Sequence, residues 1–313
     1  MLPIKIELPE GFLQEETRCE FTVPTSMKKV WAVELDLLNE LLRVCRKYDI
    51  EVFCFGGTAL GAARHKGFIP WDDDIDLVAT RSNYDKLCAC AAEEFQYPYF
   101  FQTDKTDPGS MRGHAQLRNS ETTGILKNEL ALNIGINQGI FIDIFPLDEI
   151  PDALDERNKY LNALERHRSR AFRAAVCTGY RPFPDDAGFK TKIKKAICMI
   201  GRPLDRLLHI NLALSRSFRE KMTAYDGLGM KEVGLMPLVA SARNLIYPRD
   251  HFEKGVTMLD FEFMKVPVSP WYEELLTSQY GNWHKFVVGT SIHGGVVFEP
   301  EKPYRQYLND CKR

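Results

Sequence analysis

The run Asp72-Asp73-Asp74-Ile75-Asp76 places four carboxylates within five residues, shortly after the glycine pair of Gly56-Gly57-Thr58. Together these stretches meet two needs of phosphoryl transfer. Glycine lacks a Cβ, so a phosphate can approach its backbone N–H closely. Carboxylates at i and i+2 of a strand share a face and can share a divalent cation. Gly56, Gly57 and Thr58 are therefore candidate phosphate-binding residues, with Thr58 adding a hydroxyl. Asp74 and Asp76 are candidate catalytic carboxylates and metal ligands for Mg²⁺ or Mn²⁺. Asp72 has the same parity but lies one step outside, where it either takes a second ion or is solvated. Asp73 faces the other way and is expected to be structural.

The elements that must position these groups are legible as hydrophobic patterns. Glu51–Gly57 and Asp73–Ala79 read as two short buried strands, with a short helix opening at Thr58 so that the Gly-Gly turn sits at its N-terminus. Thr25 or Ser26 is placed to cap a helix running to about Tyr48, with Trp31, Leu35, Leu38, Leu42 and Cys45 as its apolar stripe. Further on, Tyr84–Glu94 reads as a helix and Tyr97–Gln102 and Gly113–Arg118 as strands. Gly139–Pro146 is a strand carrying Asp143 among isoleucines and aromatics, with Pro146 ending it. Residues 152–226 are helical in pattern and basic in places, at Arg166–Arg173 and at Lys190, Lys192, Lys194 and Lys195, with a loop over Tyr180–Asp186. Short strands follow over Glu232–Met264, then a helix over Pro270–Tyr280 capped by Gly281. The order points to an α/β fold with a mixed sheet core. The expected organisation is an N-terminal extension (1–26), a catalytic core (27–150), a helical, partly basic insert (151–230) and a mixed C-terminal segment completing the site (231–313).

Bulk properties exclude several classes. The 313 residues are 27% charged and 44% apolar with a net charge of −2, the balance of an ordinary soluble protein with no general affinity for nucleic acid. No stretch approaches the roughly 20 apolar residues of a membrane span, and Met1–Glu20 does not read as a signal peptide, so the expected compartment is cytoplasmic. The eight cysteines form no C-x-x-C pair and are expected to be reduced and mostly buried.

Residues Gly56–Asp76, followed by Gly139-Ile-Phe-Ile-Asp143-Ile-Phe-Pro-Leu-Asp148, resemble the LicD family of phosphotransferases. Gln116-Leu117-Arg118 is similar to a Lys/Arg-containing strand of that family, and Val266-Pro267, Tyr272, Tyr280-Gly281 and His293 resemble its closing motif. The resemblance implies a nucleotidyltransferase-like fold. It also implies transfer of a phospho-alcohol from a CDP-alcohol donor, CDP-choline first, to a hydroxyl of a glycan or lipid-linked glycan in lipopolysaccharide, teichoic acid or capsule. Fukutin-related proteins, which handle ribitol phosphate, share the carboxylate block.

With a diphosphate donor in mind, further residues acquire roles. Asp143 is expected to complete the metal site, to act as general base, or to be a buried acid paired with Arg118. Arg118 is expected to reach the diphosphate or pair with Asp143. Arg64 and Lys66 are candidates to neutralise phosphate, or are solvated; His65 is a candidate proton shuttle or a surface residue. Trp71 is placed to stack on the base, to meet a quaternary ammonium, or to pack in the core. Tyr97, Tyr99, Phe100 and Phe101 read as a choline cage or as plain strand alternation. His293, before Gly294-Gly295, is a candidate to close over the donor. The Arg166–Arg173 patch reads as a solvated helix face or a landing site for an anionic acceptor. Two other functions fit the same residues: transfer of a nucleotide from a nucleoside triphosphate, and a non-catalytic module that binds nucleotide or glycan.

Overall fold

A computed structural model describes residues 1–130, 132, 134–181, 200–205, 207–238, 245–287 and 295–311. His293 and Lys190, Lys192, Lys194 and Lys195 lie outside them, as does most of the expected Tyr180–Asp186 loop.

After a small hairpin, β1 (Glu16–Arg18) and β2 (Phe21–Val23), the long helix α1 (Thr25–Tyr48) begins directly after Pro24, with no side-chain cap from Thr25 or Ser26. β3 (Phe53–Cys54) is shorter than expected, because helix α2 (Gly56–Leu60) starts at the glycine pair itself and continues into a π turn, Gly61–His65. Then follow β4 (Asp76–Thr80), α3 (Arg81–Glu94), β5 (Tyr99–Gln102), β6 (Ala115–Asn119), β7 (Thr123–Leu126) and β8 (Ile140–Ile150). Helices α4 (Leu154–Cys177) and α5 (Ile210–Met222) pair with each other. The chain closes with β9 (Glu232–Gly234), β10 (Ile246–Pro248), the hairpin β11 (Thr257–Phe261) and β12 (Met264–Val268), α6 (Tyr272–Tyr280), β13 (Val296–Glu299) and α7 (Tyr304–Asp310).

The central sheet is mixed. β4 and β8 are parallel, and every other pairing within it is antiparallel. β8 is the hub: one edge carries β4, while the other carries β6 along Ile140–Ile144 and β9 along Asp148–Ile150. Pro146 therefore does not end the strand. It falls in the gap between the partners of β8 on that edge, where a missing N–H leaves no ladder bond unmade.

Alternation along the two parallel strands sorts the faces. Leu77, Ala79, Ile142 and Ile144, each fully buried, pack with the stripe of α1 in the main core. Val78 and Phe145 face a second core with Phe53, Phe55, Leu235 and Tyr247. By the same period Asp76 and Asp143 belong to this second face. Each fully buried aliphatic side chain contributes roughly 1.5–3 kcal/mol, so a register slip that exposed this set would be strongly unfavourable.

The N-terminal segment is tied to the core by one carboxylate. Asp36, buried in α1, accepts from the N–H groups of Lys5 and Ile6 at 2.8 and 2.9 Å and from the Tyr99 hydroxyl at 2.8 Å. Tyr99 is thus spoken for, Tyr97 is exposed, and Phe101 stacks on Phe95. These rings follow strand alternation and form no cage. Among the described residues there is no disulfide. Cys45, Cys54 and Cys90 are buried, Cys88 is half-buried, and Cys19, Cys177 and Cys311 are exposed.

Asp36→Ala removes three hydrogen bonds to one carboxylate and should cost on the order of 3 kcal/mol. Chemical denaturation should show that loss, and limited proteolysis should then cut within the first fifteen residues, which stay protected in the native protein.

Candidate functional site

Asp76 is fixed by its backbone before its side chain is considered. Its N–H donates to Thr58 Oγ1 at 2.9 Å, and its carbonyl accepts from the Phe55 N–H at 3.0 Å. Thr58 is buried, so its hydroxyl braces the strand that carries the acid. The parallel ladder then sets Asp76 opposite Asp143, with the Asp143 N–H donating to Ile75 O at 2.9 Å. Two carboxylates from separate parts of the chain are thereby made neighbours.

The preceding acids lie before the strand, not on it, which corrects the expectation that Asp74 and Asp76 alternate along one strand. The segment is held by Trp31, whose Nε1 donates to Asp72 O at 3.0 Å while its ring stacks on Phe68 at 4.6 Å. Freed from strand geometry, Asp73 does not point away. Asp72, Asp73 and Asp74 each offer an oxygen within 4.8 Å of the others. Octahedral ligands about 2.0–2.1 Å from a Mg²⁺ lie at most ~4.2 Å apart, so small side-chain rotations would bring these oxygens onto one ion. Hard anionic oxygens are the donors such an ion prefers.

A cleft of about 590 Å³ opens over these groups, lined by Gly56, Gly57, Arg64, Trp71, Asp72, Asp74, Asp76, Tyr280 and Lys285 among others. Gly56 has a φ of +55°, and a Cβ on Gly57 would sit 2.6 Å from Asp72 Oδ2, so the glycine pair lets backbone and carboxylate approach closely. Trp71 is half-buried, with its ring edge-on to Phe21 and His65. Arg64 donates to Trp283 O and Lys285 O, anchoring the segment that brings Lys285 to the rim.

Three expected residues are placed elsewhere. Arg118 is 1% exposed, stacked on Phe141, and donates to Gln102 Oε1, Gly139 O and Gln116 Oε1 at 2.7, 2.6 and 2.5 Å. It neither lines the cleft nor binds Asp143; it orients Gln116, which does. Burial, with Arg112 nearby, pushes Arg118 down to about 9. Lys66 is exposed in a left-handed turn whose carbonyl accepts from the Glu262 N–H, and it is not among the residues lining the cleft. His65 is neither shuttle nor surface residue: it is half-buried against Phe286, and burial beside Arg64 and Arg18 lowers it to about 4, leaving it neutral.

Sequence reasoning passed over several groups. His114 Nε2 lies 2.9 Å from Asp143 Oδ1, and Gln116 Nε2 donates to the same oxygen at 2.7 Å. Glu34, on the face of α1 next to Trp31, is 1% exposed, and its Oε2 has no hydrogen-bond partner among the described residues. Burial, reinforced by Asp74, Asp73 and Asp72, holds its carboxyl far above the usual range. Tyr280 lies against Gly56 and the acids.

The acids divide electrostatically. Burial, then the charges of Asp76, Asp72 and Asp143, raises Asp74 to about 10; burial and Asp143 likewise raise Asp76. Asp143 goes the other way. Burial alone would push it up, but the hydrogen bond and charge of His114, with Gln116 and Arg112, hold it below the ordinary carboxylate range. Without a cation, His114 and Gln116 favour the charged form of Asp143, while burial and mutual repulsion favour the protonated forms of Asp74 and Asp76.

A carboxyl whose pKa is raised by folding contributes stability at low pH and loses it as the pH climbs toward the folded value. For Asp74 that window runs from near 3.8 to about 10. In a chelator, the melting temperature should fall across this range, and Asp74→Asn should flatten the fall and melt a few degrees higher than the native protein at about pH 8. Scanning calorimetry at several pH values checks both.

Residues 49–175 match the family described as LicD/FKTN/FKRP, nucleotidyltransferase domain. Over 272 residues the chain is 26% identical to the lipopolysaccharide cholinephosphotransferase LicD of Haemophilus influenzae, an alignment covering 83% of this chain and 92% of that relative. The matched segment contains the glycine pair, the acids from Asp72 to Asp76, His114 and Asp143. Residues 49–175 are thus similar to a LicD-family nucleotidyltransferase domain and supply the glycine pair and the acids of the cleft, while Leu235, Tyr280, Trp283 and Lys285, beyond the matched segment, close its other side.

Proposed function

We propose that this protein is a phosphotransferase that moves phosphocholine, or a related phospho-alcohol, from a CDP-alcohol to a hydroxyl of a surface glycan, releasing CMP. CDP-choline is the first donor to test, given the relative's activity. The observation carrying this reading is the parallel pairing of Asp76 with Asp143 beside Gly56 and Gly57, in a domain of matching family.

The residues fit a divalent cation, Mg²⁺ or Mn²⁺, with Asp72, Asp73 and Asp74 offering the closest oxygens and Asp76 adjoining. Such an ion, when bound, neutralises charge on the donor diphosphate and the departing CMP. The chain's own contribution is positioning. The backbone at Gly56 and Gly57 receives phosphate, Arg64 and Lys285 supply positive charge at the rim, and Trp71 offers a face for the base or the quaternary ammonium. Asp143 has two hydrogen bonds to one oxygen and a depressed pKa, so it is a poor proton acceptor and a good fixed charge. We assign it to orienting the site in preference to general-base work.

No described helix is long and apolar enough to cross a membrane.

Incubation with Mg²⁺ and a panel of CDP-alcohols should release CMP slowly by hydrolysis, and quickly once the acceptor glycan is supplied. Asp74→Asn and Asp76→Asn should lower turnover by about 10³-fold or more while circular dichroism stays native. Consumption of a nucleoside triphosphate with release of pyrophosphate would decide for nucleotide transfer instead.

Gly57→Ala is a subtler test. The new methyl meets Asp72 Oδ2 at 2.6 Å and displaces that carboxylate without deleting an acid. Mg²⁺ affinity by calorimetry should fall about tenfold, with little change in melting temperature.

A further inference from the structure

On the other side of the His114–Asp143 contact lies a second cavity, of about 380 Å³, between the approach to β6 and helices α4 and α5. Arg112, His114, Glu129, Arg168, Phe172 and Arg181 are among its walls. We propose that this cavity binds a sugar unit bearing an anionic substituent, phosphate or carboxylate, and so forms the acceptor side of the proposed transferase.

The donor set supports an anion. Glu129, 3% exposed, accepts from Arg112 and from Arg181, so two guanidinium groups share one carboxylate. Asp104, which also lines the cavity, is matched by Arg219 at 3.9 Å. Arg112 also faces the carboxylate of Asp143, so the pull on an anion comes from an unmet donor and not from surplus charge. The Arg112 Nε–H is buried and has no hydrogen-bond partner among the described residues. It is a donor of the charge-assisted kind that phosphate or carboxylate satisfies best.

Shape and position support a sugar. Leu126, Phe172, Phe218 and Pro237 give the cavity an apolar side that suits the C–H face of a pyranose. Phe172 is 45% exposed at the mouth and Arg168 is 37% exposed, on the basic stretch of α4 that the sequence singles out. His114 belongs to both regions: it lines this cavity, its Nε2 meets Asp143, and its ring lies 4.2 Å from that of Phe145, which lines the aspartate cleft. A sugar seated here lies one side chain away from the cleft assigned to the donor.

Isothermal titration of the full chain with glucose 6-phosphate, glucuronate and glucose tests the assignment. At least one anionic sugar should bind saturably, and glucose should bind at least about tenfold more weakly; the two anions distinguish phosphate from carboxylate. Arg112→Gln should weaken binding by about tenfold or more, and Phe172→Asp, a change at an exposed position that tests the site even should Arg112→Gln misfold, should weaken it through repulsion. Phe172→Asp should keep CMP binding in Mg²⁺. Absence of saturable binding by either anionic sugar, equal binding of glucose, or affinities unchanged in Phe172→Asp and in a folded Arg112→Gln would overturn the proposal. The inference rests on the transferase reading for its role but fails separately from it: with no CMP released from any CDP-alcohol, the transferase reading falls while sugar binding, including that of Asp74→Asn, stands or falls on its own.

Discussion

The parallel pairing of β4 with β8 is the constraint on which the rest of the site depends. It sets Asp76 beside Asp143, and burial makes two negative charges that close strongly unfavourable. Ile75, Leu77, Ile142 and Ile144 are fully buried around them, so the hydrophobic energy of the sheet offsets the repulsion of the acids. This arrangement stores an electrostatic demand at the start of β4 that protons can meet and that a cation can meet instead.

The demand is directed. His114 and Gln116, both reaching one oxygen of Asp143, fix that acid in its charged form, and Arg118 fixes Gln116 from behind. Repulsion then falls on Asp74 and Asp76, and Glu34, raised first by its burial, is pushed further up by Asp74, Asp73 and Asp72. The glycine pair is part of the same arrangement, since any larger residue at Gly57 would collide with Asp72. Backbone, acids and braces thus act as one unit, and the side chains least exposed to solvent decide how the exposed ones behave.

Much of this was legible in the residues. The apolar stripe from Trp31 to Cys45, the carboxylate run and the isolated acid among isoleucines at Asp143 each mark an element that the structure contains. What was not legible depended on tertiary partners. Pro146 looks like a strand end until β6 and β9 are seen to share one edge of β8. Asp73 faces away only if its segment is a strand, and Trp31 pins that segment outside the sheet. Arg118 was singled out although His114 and Gln116 stand at alternate positions before it; the period of two was sufficient to nominate all three as one face. Glu34 was hidden by reading α1 for its apolar positions alone, when an acid inside so buried a helix is itself the informative residue.

The central claim is that Asp72, Asp73 and Asp74, gathered just before β4, form a cation site with Asp76 beside the glycine-lined cleft. Anomalous diffraction from crystals grown with Mn²⁺ and CMP tests it most directly. The account predicts a peak about 2.2 Å from oxygens of at least two of Asp72, Asp73, Asp74 and Asp76, with CMP phosphate on the same ion and Asp143 still held by His114. A Mn²⁺ peak remote from these acids, or CMP bound away from Gly56 and Gly57, would contradict it.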